Sequence, residues 1–358
     1  MNAVEWQKKL SRSLPGKGIL AIASLAYAAG FWLHRMLYKT GILKSRRFPI
    51  KIVCIGNLTA GGTGKTSAVL LAAEELYGQK LKTAILSRGY GRPNSAAGVS
   101  VLGNGHPFSW QDCGDEPWML HQALKDKEIP IFISPNRVQA AEQAARSFPL
   151  DVLVMDDGFQ HWPLQRDLDV VCVSALDPFG GGWPLPLGFL REPKSGLRRA
   201  GLILLTHTDR VPERSVLRLR RELARIAPEV PVVESVHRPA AFIDLRNQKS
   251  LAINHMAGRD AASLSAIGSP QQFEEQLKSL NITLKQIWRY PDHHPYTLRE
   301  FESLNTLGGA LPIITTLKDF VRFPKDWQSA LSGEVLAFSA RLEIVRGKKI
   351  WTQKLSLQ

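Results

Sequence analysis

The sequence predicts an α/β chain: an α/β/α core, a second and smaller α/β/α domain, and a membrane-associated helix ahead of both. Three observations carry this reading. From Ile50 the texture alternates between β-rich and helical runs. The alternation resumes after a polar, β-leaning stretch at 237–252. Gly18–Leu33 (GILAIASLAYAAGFWL) runs sixteen residues without a charge. A chain of 358 residues suits about two domains and buries enough surface to fold without a metal or disulfide staple. The expected divisions are a membrane-associated segment over 1–49, a core over 50–236, a connector over 237–252, a small domain over 253–332, and a returning strand with the C-terminus over 333–358. With 44% hydrophobic and 22% charged residues, the composition excludes a disordered chain, a collagen-like fibre and a many-span membrane protein. Cys54, Cys113 and Cys172 form no close pair, which excludes a zinc cluster and points to a reducing cytosol.

The first fifty residues carry nine basic groups against one acid, over half of the net charge of +14. As a helix, the uncharged run would span roughly 24 Å against a hydrocarbon layer of roughly 30 Å. It is therefore marginal as a span, though Lys17 and His34-Arg35 could snorkel. The alternatives are an interfacial helix with Tyr27, Phe31, Trp32 and Tyr38 at headgroup depth, a signal peptide, or a buried hairpin helix. The favoured reading dips the segment into the inner leaflet of a membrane, with basic groups drawing anionic lipid and the body in the cytoplasm. No recognition helix or aromatic-basic motif stands out, so no nucleic-acid partner is expected.

The core opens on Ile50–Ile55, a β-rich run, followed by Gly56-Asn57-Leu58-Thr59-Ala60-Gly61-Gly62-Thr63-Gly64-Lys65-Thr66 and an apolar helix through Leu76. Strand, glycine-rich loop and helix N-terminus together make a phosphate cradle. Thr59 to Gly64 would present backbone N–H groups, Lys65 would reach the β/γ-phosphates, and Thr66 would ligate Mg²⁺. This is a P-loop NTPase-like core, with Thr59 where the first glycine usually stands. The loop alone does not separate kinase from GTPase or motor.

A second apolar strand, Leu150–Met155, ends in Asp156-Asp157-Gly158-Phe159-Gln160-His161. A carboxylate there is placed to support Mg²⁺, and alternation along the chain lets one of the two acids face it. His161 reads as a substrate contact or a helix-start residue. In Gly114-Asp115-Glu116-Pro117, an acid caps a helix or takes a proton from an attacking hydroxyl. Arg88 and Arg92 in the SRGYGR run, and Arg137, are candidates to clamp phosphate; otherwise they form a solvated basic surface. Leu185–Pro193 suits a wall against a greasy acceptor, with Lys194, Arg198 and Arg199 as a basic rim. His207 follows strand Leu202–Leu205 where a guanine-reading loop would carry Lys, which weakens a GTP reading.

A helix over Pro212–Ile226, with Pro212 in its first turn, and a strand over Val232–Val236 close the core. Beyond the connector, a helix near Pro270–Leu280 and strands at Ile282–Ile287 and Leu311–Thr315 make the smaller unit, and 334–346 returns as a strand. Asp292-His293 is a candidate acid–histidine pair, the acid fixing the imidazole tautomer.

Taken in order, GNLTAGGTGKT, SRGYG, GDEP, DDGFQH, PLPLGFLREP and YPDHH resemble the tetraacyldisaccharide 4'-kinase family over about residues 15–325. The resemblance implies ATP-dependent phosphorylation of the 4'-hydroxyl of an acylated glucosamine disaccharide 1-phosphate, in lipid A biosynthesis at the inner membrane. It implies that Lys65 and Thr66 handle ATP and Mg²⁺, that Asp115 is the base, and that Asp156 or Asp157 supports Mg²⁺. Asp292 and His293 would assist the base, Glu192 would position nucleotide or metal, and a two-stranded connector would join the domains. Ser67, Asn136, Leu317 and Ala262–Ser265 depart from the usual family pattern. The rival reading is a P-loop GTPase or ATPase with a chaperone or regulatory role.

Overall fold

A computed structural model describes residues 13–89, 98–103, 110–309 and 311–357. Arg92, with Tyr90 and Gly91 of the same motif, lies outside the described residues.

Among the described residues thirteen strands form one sheet: β1 (Lys51–Asn57), β2 (Thr83–Ser87), β3 (Ser100–Leu102), β4 (Ile131–Ile133), β5 (Val152–Asp156), β6 (Leu168–Ser174), β7 (Leu202–Thr206), β8 (Val232–Asp244), β9 (Ser250–Leu251), β10 (Asp260–Ser265), β11 (Thr283–Arg289), β12 (Ile313–Thr316) and β13 (Val335–Arg346). Their order is β11-β10-β12-β13-β8-β7-β6-β1-β5-β2-β4-β3, with β9 on β8. The run from β8 to β4 is parallel, as is the run from β11 to β13. Parallel strands are covered on both faces, which explains why β1, β5 and β7 read as continuous apolar runs rather than alternating ones.

The helix Lys65–Gly78 packs on this sheet through Ala68, Val69, Ala72, Ala73 and Leu76, all fully buried. The alanines let its backbone approach the sheet closely. The C-terminal helix Lys348–Leu355 returns from β13 to this same core. It inserts Trp351, and Lys348 Nζ and Thr352 Oγ1 donate to Glu75 at 2.7 and 2.9 Å.

Two boundaries differ from expectation. The strand expected over Val232–Val236 runs on to Asp244 as β8. Its first residues pair with β7, and β13 supplies antiparallel partners from Glu234 to Asp244, so the ladder never lapses. Pro212 stands outside the helix Glu213–Ile226 as its N-cap.

The N-terminal helix spans Leu14–Lys39, longer than its uncharged run, with the Ser13 hydroxyl accepting from Gly16 N at 3.1 Å. Its 26 residues reach roughly 39 Å. Gly16, Leu20 and Ser24 face the body, whereas Leu14, Ile19, Ile22, Leu25, Trp32 and Leu33 are exposed. Among the described residues it is the one helix long and apolar enough to cross a membrane.

Candidate active site

The phosphate loop leaves β1 at Asn57 and re-enters helix at Lys65. Asn57 Nδ2 donates to the Thr63 hydroxyl at 2.8 Å, and the Thr206 hydroxyl at the end of β7 donates to Thr63 O at 3.0 Å. Gly64 caps the helix at φ +80°, a conformation that disfavours any side chain, and a Cβ there would also lie 3.3 Å from His237. On its outer side the loop pairs with the 184–191 segment. Ala60 N donates to Phe189 O at 2.8 Å, Arg191 N donates to Leu58 O at 2.7 Å, and Thr59 bridges Leu190. Thr59 thus serves as a paired residue rather than a flexible turn, which suits a non-glycine at that position.

Lys65 Nζ sits 3.8 Å from Asp157 Oδ1. Arg191, one residue before Glu192, donates to the same oxygen at 2.7 Å. Burial pushes the Asp157 carboxyl up, but Lys65 and Arg191 outweigh that and hold it below the ordinary range. Asp156, at the end of β5 and 4% exposed, is pushed up to about 7, chiefly by burial and then by the charges of Glu116 and Asp157. The two neighbouring acids therefore differ, Asp157 paired with cations and Asp156 buried beside it.

Thr66 Oγ1 donates to Glu116 Oε1 at 3.2 Å, and Lys318 Nζ lies 3.6 Å from that carboxylate. Asp115 opens the helix Asp115–Leu124 behind Gly114, its Oδ1 accepting from Glu116 N at 3.0 Å. Its Oδ2 accepts from His293 Nδ1 at 3.1 Å and from Arg322 Nη2 at 3.0 Å. Burial raises the Asp115 carboxyl, but these two bonds dominate and hold it well below the carboxylate range. The bond to Asp115 in turn raises His293. Asp292 lies 3.9 Å from His293 Nε2 and is exposed. Asp115 thus holds the imidazole at Nδ1, while its sequence neighbour Asp292 lies beside the other nitrogen, in a turn that places His293 at φ +63°.

Glu192 is placed differently from expectation. Its carboxylate is wholly buried, paired with Arg199 through both oxygens (2.6 Å to Oε1) and accepting from Gln160 Nε2 at 2.7 Å. It ties the 191–199 segment to the acidic turn and turns no oxygen toward solvent. Arg199, read as part of a basic rim, instead lies over Phe159 and Trp162, 3.6 and 4.8 Å from their ring centroids. Arg137 is buried, with Nη2 donating to Asp157 O at 3.4 Å and Nε unpartnered. His161, lowered to about 4 by burial and then by Arg137, has an unpartnered buried Nε2. Arg88 is exposed at the end of β2 and acts electrostatically on both. His207 stacks on His237 at 4.7 Å between ring centroids, and burial lowers the pair to about 3 and about 4. That neutral pair replaces the lysine of a guanine-reading loop.

The sequence departures leave this architecture intact. Asn136 caps the helix Arg137–Ser147, accepting from Val138 N and Gln139 N at 3.2 Å each, and Leu317 packs against the second core. Arg322, Lys318 and Arg191 escaped the sequence reading. Arg191 was within reach as the neighbour of Glu192, whereas Arg322 belongs to no motif.

Among the described residues, no three His, Cys, Asp or Glu side chains are grouped to hold a metal. The Thr66 hydroxyl with Asp156 and Asp157 is an oxygen set suited to a hard cation that takes its other oxygens from phosphate and water. The raised Asp156 marks a buried carboxyl that a cation would satisfy.

Residues 17–356 match the family of tetraacyldisaccharide-1-P 4'-kinases. The chain is 40% identical to a tetraacyldisaccharide 4'-kinase of Elusimicrobium minutum, over 98% of this chain and 93% of that one. It is 37% identical to one of Anaeromyxobacter dehalogenans over the same shares. Among solved structures, it is similar to LpxK of Aquifex aeolicus in complex with ATP, with a TM-score of 0.76 and 26% identity over 95% of this chain and 98% of that one. The fold and these likenesses agree, and the chain belongs to the tetraacyldisaccharide-1-P 4'-kinase family.

Proposed function

We propose that this chain transfers the γ-phosphoryl group of ATP to the 4'-hydroxyl of a tetraacylated glucosamine disaccharide 1-phosphate, with Asp115 receiving the hydroxyl proton. The observation that carries the reading is the junction at Asp115 and Glu116. One acid is held ionised by His293 and Arg322 from the second half of the chain, and the next reaches Thr66 of the phosphate loop. The bond from the sugar oxygen to the γ-phosphorus forms as that from the β,γ-bridging oxygen breaks, and ADP departs. In a loose transition state the hydroxyl acidifies late, so a carboxylate of low basicity suffices to orient it and accept its proton. Lys65 offsets charge gathering on the phosphoryl oxygens. Thr66, Asp156 and Asp157 would hold Mg²⁺, which supplies charge neutralisation across the β- and γ-phosphates when bound. On the expected division into a core over 50–236, a connector and a small domain over 253–332, nucleotide would fall to the first and the supports of Asp115 to the second.

The exposed apolar side of the helix Leu14–Lys39, followed by basic residues from Lys39 to Arg47, suits an anionic bilayer surface of the inner membrane, with the body cytoplasmic. Acyl chains would stay in the bilayer while the sugar reaches the cleft. Family membership disfavours the GTPase or ATPase alternative, and the neutral His207 gives guanine no support.

The test is transfer from γ-labelled ATP to the tetraacyldisaccharide 1-phosphate in detergent micelles with Mg²⁺. Asp115→Ala should lose transfer by about 10²-fold or more and retain ATP binding. Equal loss of both would remove Asp115 as base.

A further inference from the structure

The N-terminal helix and the phosphate loop are joined by contacts that the transfer chemistry leaves unused. Ser24 lies fully buried midway along an otherwise apolar run. Its hydroxyl donates to Pro184 O at 2.9 Å and accepts from Leu187 N at 2.9 Å. One turn on, the Tyr27 hydroxyl donates to Arg191 O at 3.0 Å. Both grips fall on the 184–191 segment, the one that pairs with Leu58, Thr59 and Ala60. From its end the Arg191 guanidinium reaches Asp157, which also faces Lys65.

The segment between these grips has little slack. A Cβ at Gly188 would lie 2.3 Å from Trp183 O, and one at Gly180 would lie 2.5 Å from Phe189 Cβ. Its backbone is stitched to itself by Gly188 N donating to Pro184 O at 3.0 Å and Phe189 N donating to Gly180 O at 2.8 Å. A stiff strut passes a displacement at one end to the other. The same helix touches the far side of the acidic turn, where Phe31 and Arg35 lie 6.4 and 5.7 Å from Trp162. Replacing this buried serine by an apolar residue takes the acceptor from Leu187 N and leaves Pro184 O with Gly188 N alone, so the grip of the helix on the segment is lost.

We propose that Ser24 and Tyr27 are positioning residues for the nucleotide site: the seating of the N-terminal helix, acting through 184–191, sets the phosphate loop and so couples engagement of a lipid surface to ATP affinity. The inference rests on the kinase reading and extends it, since neither hydroxyl lies in the phosphate loop or among the groups around Asp115.

The test uses the full chain in detergent micelles. ATP affinity is measured by titration calorimetry. KM for ATP and for the acceptor are measured separately, and binding to phosphatidylethanolamine–phosphatidylglycerol vesicles is measured by sedimentation. Ser24→Ala and Tyr27→Phe should each weaken ATP binding about fivefold, with vesicle binding and kcat at saturating ATP unchanged. Ser24→Thr, which keeps the hydroxyl, should restore affinity. Unchanged ATP affinity alongside a lowered Tm would overturn the proposal, as would a rise in the acceptor KM alone. A wild-type chain that binds ATP but transfers nothing would sink the kinase reading, while the ATP titration of the variants would still decide the coupling.

Discussion

Arg322→Met tests whether the second half of the chain prepares the base. Arg322 is 3% exposed. Its guanidinium reaches Asp115 Oδ2 at 3.0 Å, Ala266 O at 3.2 Å and Asp319 Oδ1 at 3.7 Å. Asp319 is itself fixed by Ala266 N at 2.9 Å, Tyr296 OH at 3.2 Å and the Thr316 hydroxyl at 2.7 Å, so the guanidinium has one available pose. Methionine keeps most of the length and removes the cation. A hydrogen bond to a charged group contributes about 1.5–3 kcal/mol. If that bond fixes Asp115 in the transition state, its loss lowers kcat by about 10- to 150-fold. Leaving Asp319 buried without its counter-ion should also cost about 3–5 kcal/mol of stability. Calorimetry reads the stability term as a lower Tm. Steady-state transfer, assayed well below that Tm, reads the catalytic term, and Arg322→Lys should fall between the two. An Arg322→Met chain that is folded, binds ATP and keeps its kcat would refute the argument.

Two further perturbations follow. His293 is raised in the folded chain by its bond to Asp115, so its stabilisation is fully present below the unfolded value of about 6.5 and is lost as pH rises through the folded value. The Tm difference between wild type and His293→Gln should therefore be largest near about pH 6 and shrink toward about pH 9; a difference independent of pH would contradict this. Gly56→Ala would place a Cβ 2.5 Å from Phe159 Cβ and 2.9 Å from Phe159 N, wedging β1 from the acidic turn. It should lose about 1–3 kcal/mol in urea unfolding and weaken ATP binding, and native-like values for both would show that the contact yields.

Much of this was legible because it is local. A strand, a glycine-rich loop and a helix start are contiguous, so the phosphate site could be read from Ile50 to Leu76. The acid turn after β5 could be read for the same reason. What escaped depends on contacts distant in sequence. Arg322 stands 207 residues from Asp115 and meets it because the helix Leu317–Phe320, just before it, packs against the helix Asp115–Leu124. Adjacency pointed to Asp292 as the partner of His293, and it lies 3.9 Å from Nε2, but the closer bond, at Nδ1, comes from Asp115 far away in sequence. Glu192 looked like a ligand because it is an acid in a motif, yet Arg199, seven residues on, takes both of its oxygens. Charge alone does not tell a sequence reader whether an acid faces the substrate or a buried guanidinium.

The pairing of β8 with β13 has a consequence for the history of the fold. Residues 245–334 leave the chain at Asp244 and rejoin it at Val335, and Asp244 stands opposite Leu336 in the ladder. Everything that supports Asp115 from outside the nucleotide-binding body is thus an insertion whose two ends are neighbours. Such a piece can be exchanged or reshaped at a single seam without rethreading its host. Changes confined to 245–334 can therefore accumulate while the body that carries the phosphate loop, completed by the returning helix with Trp351, keeps its own core.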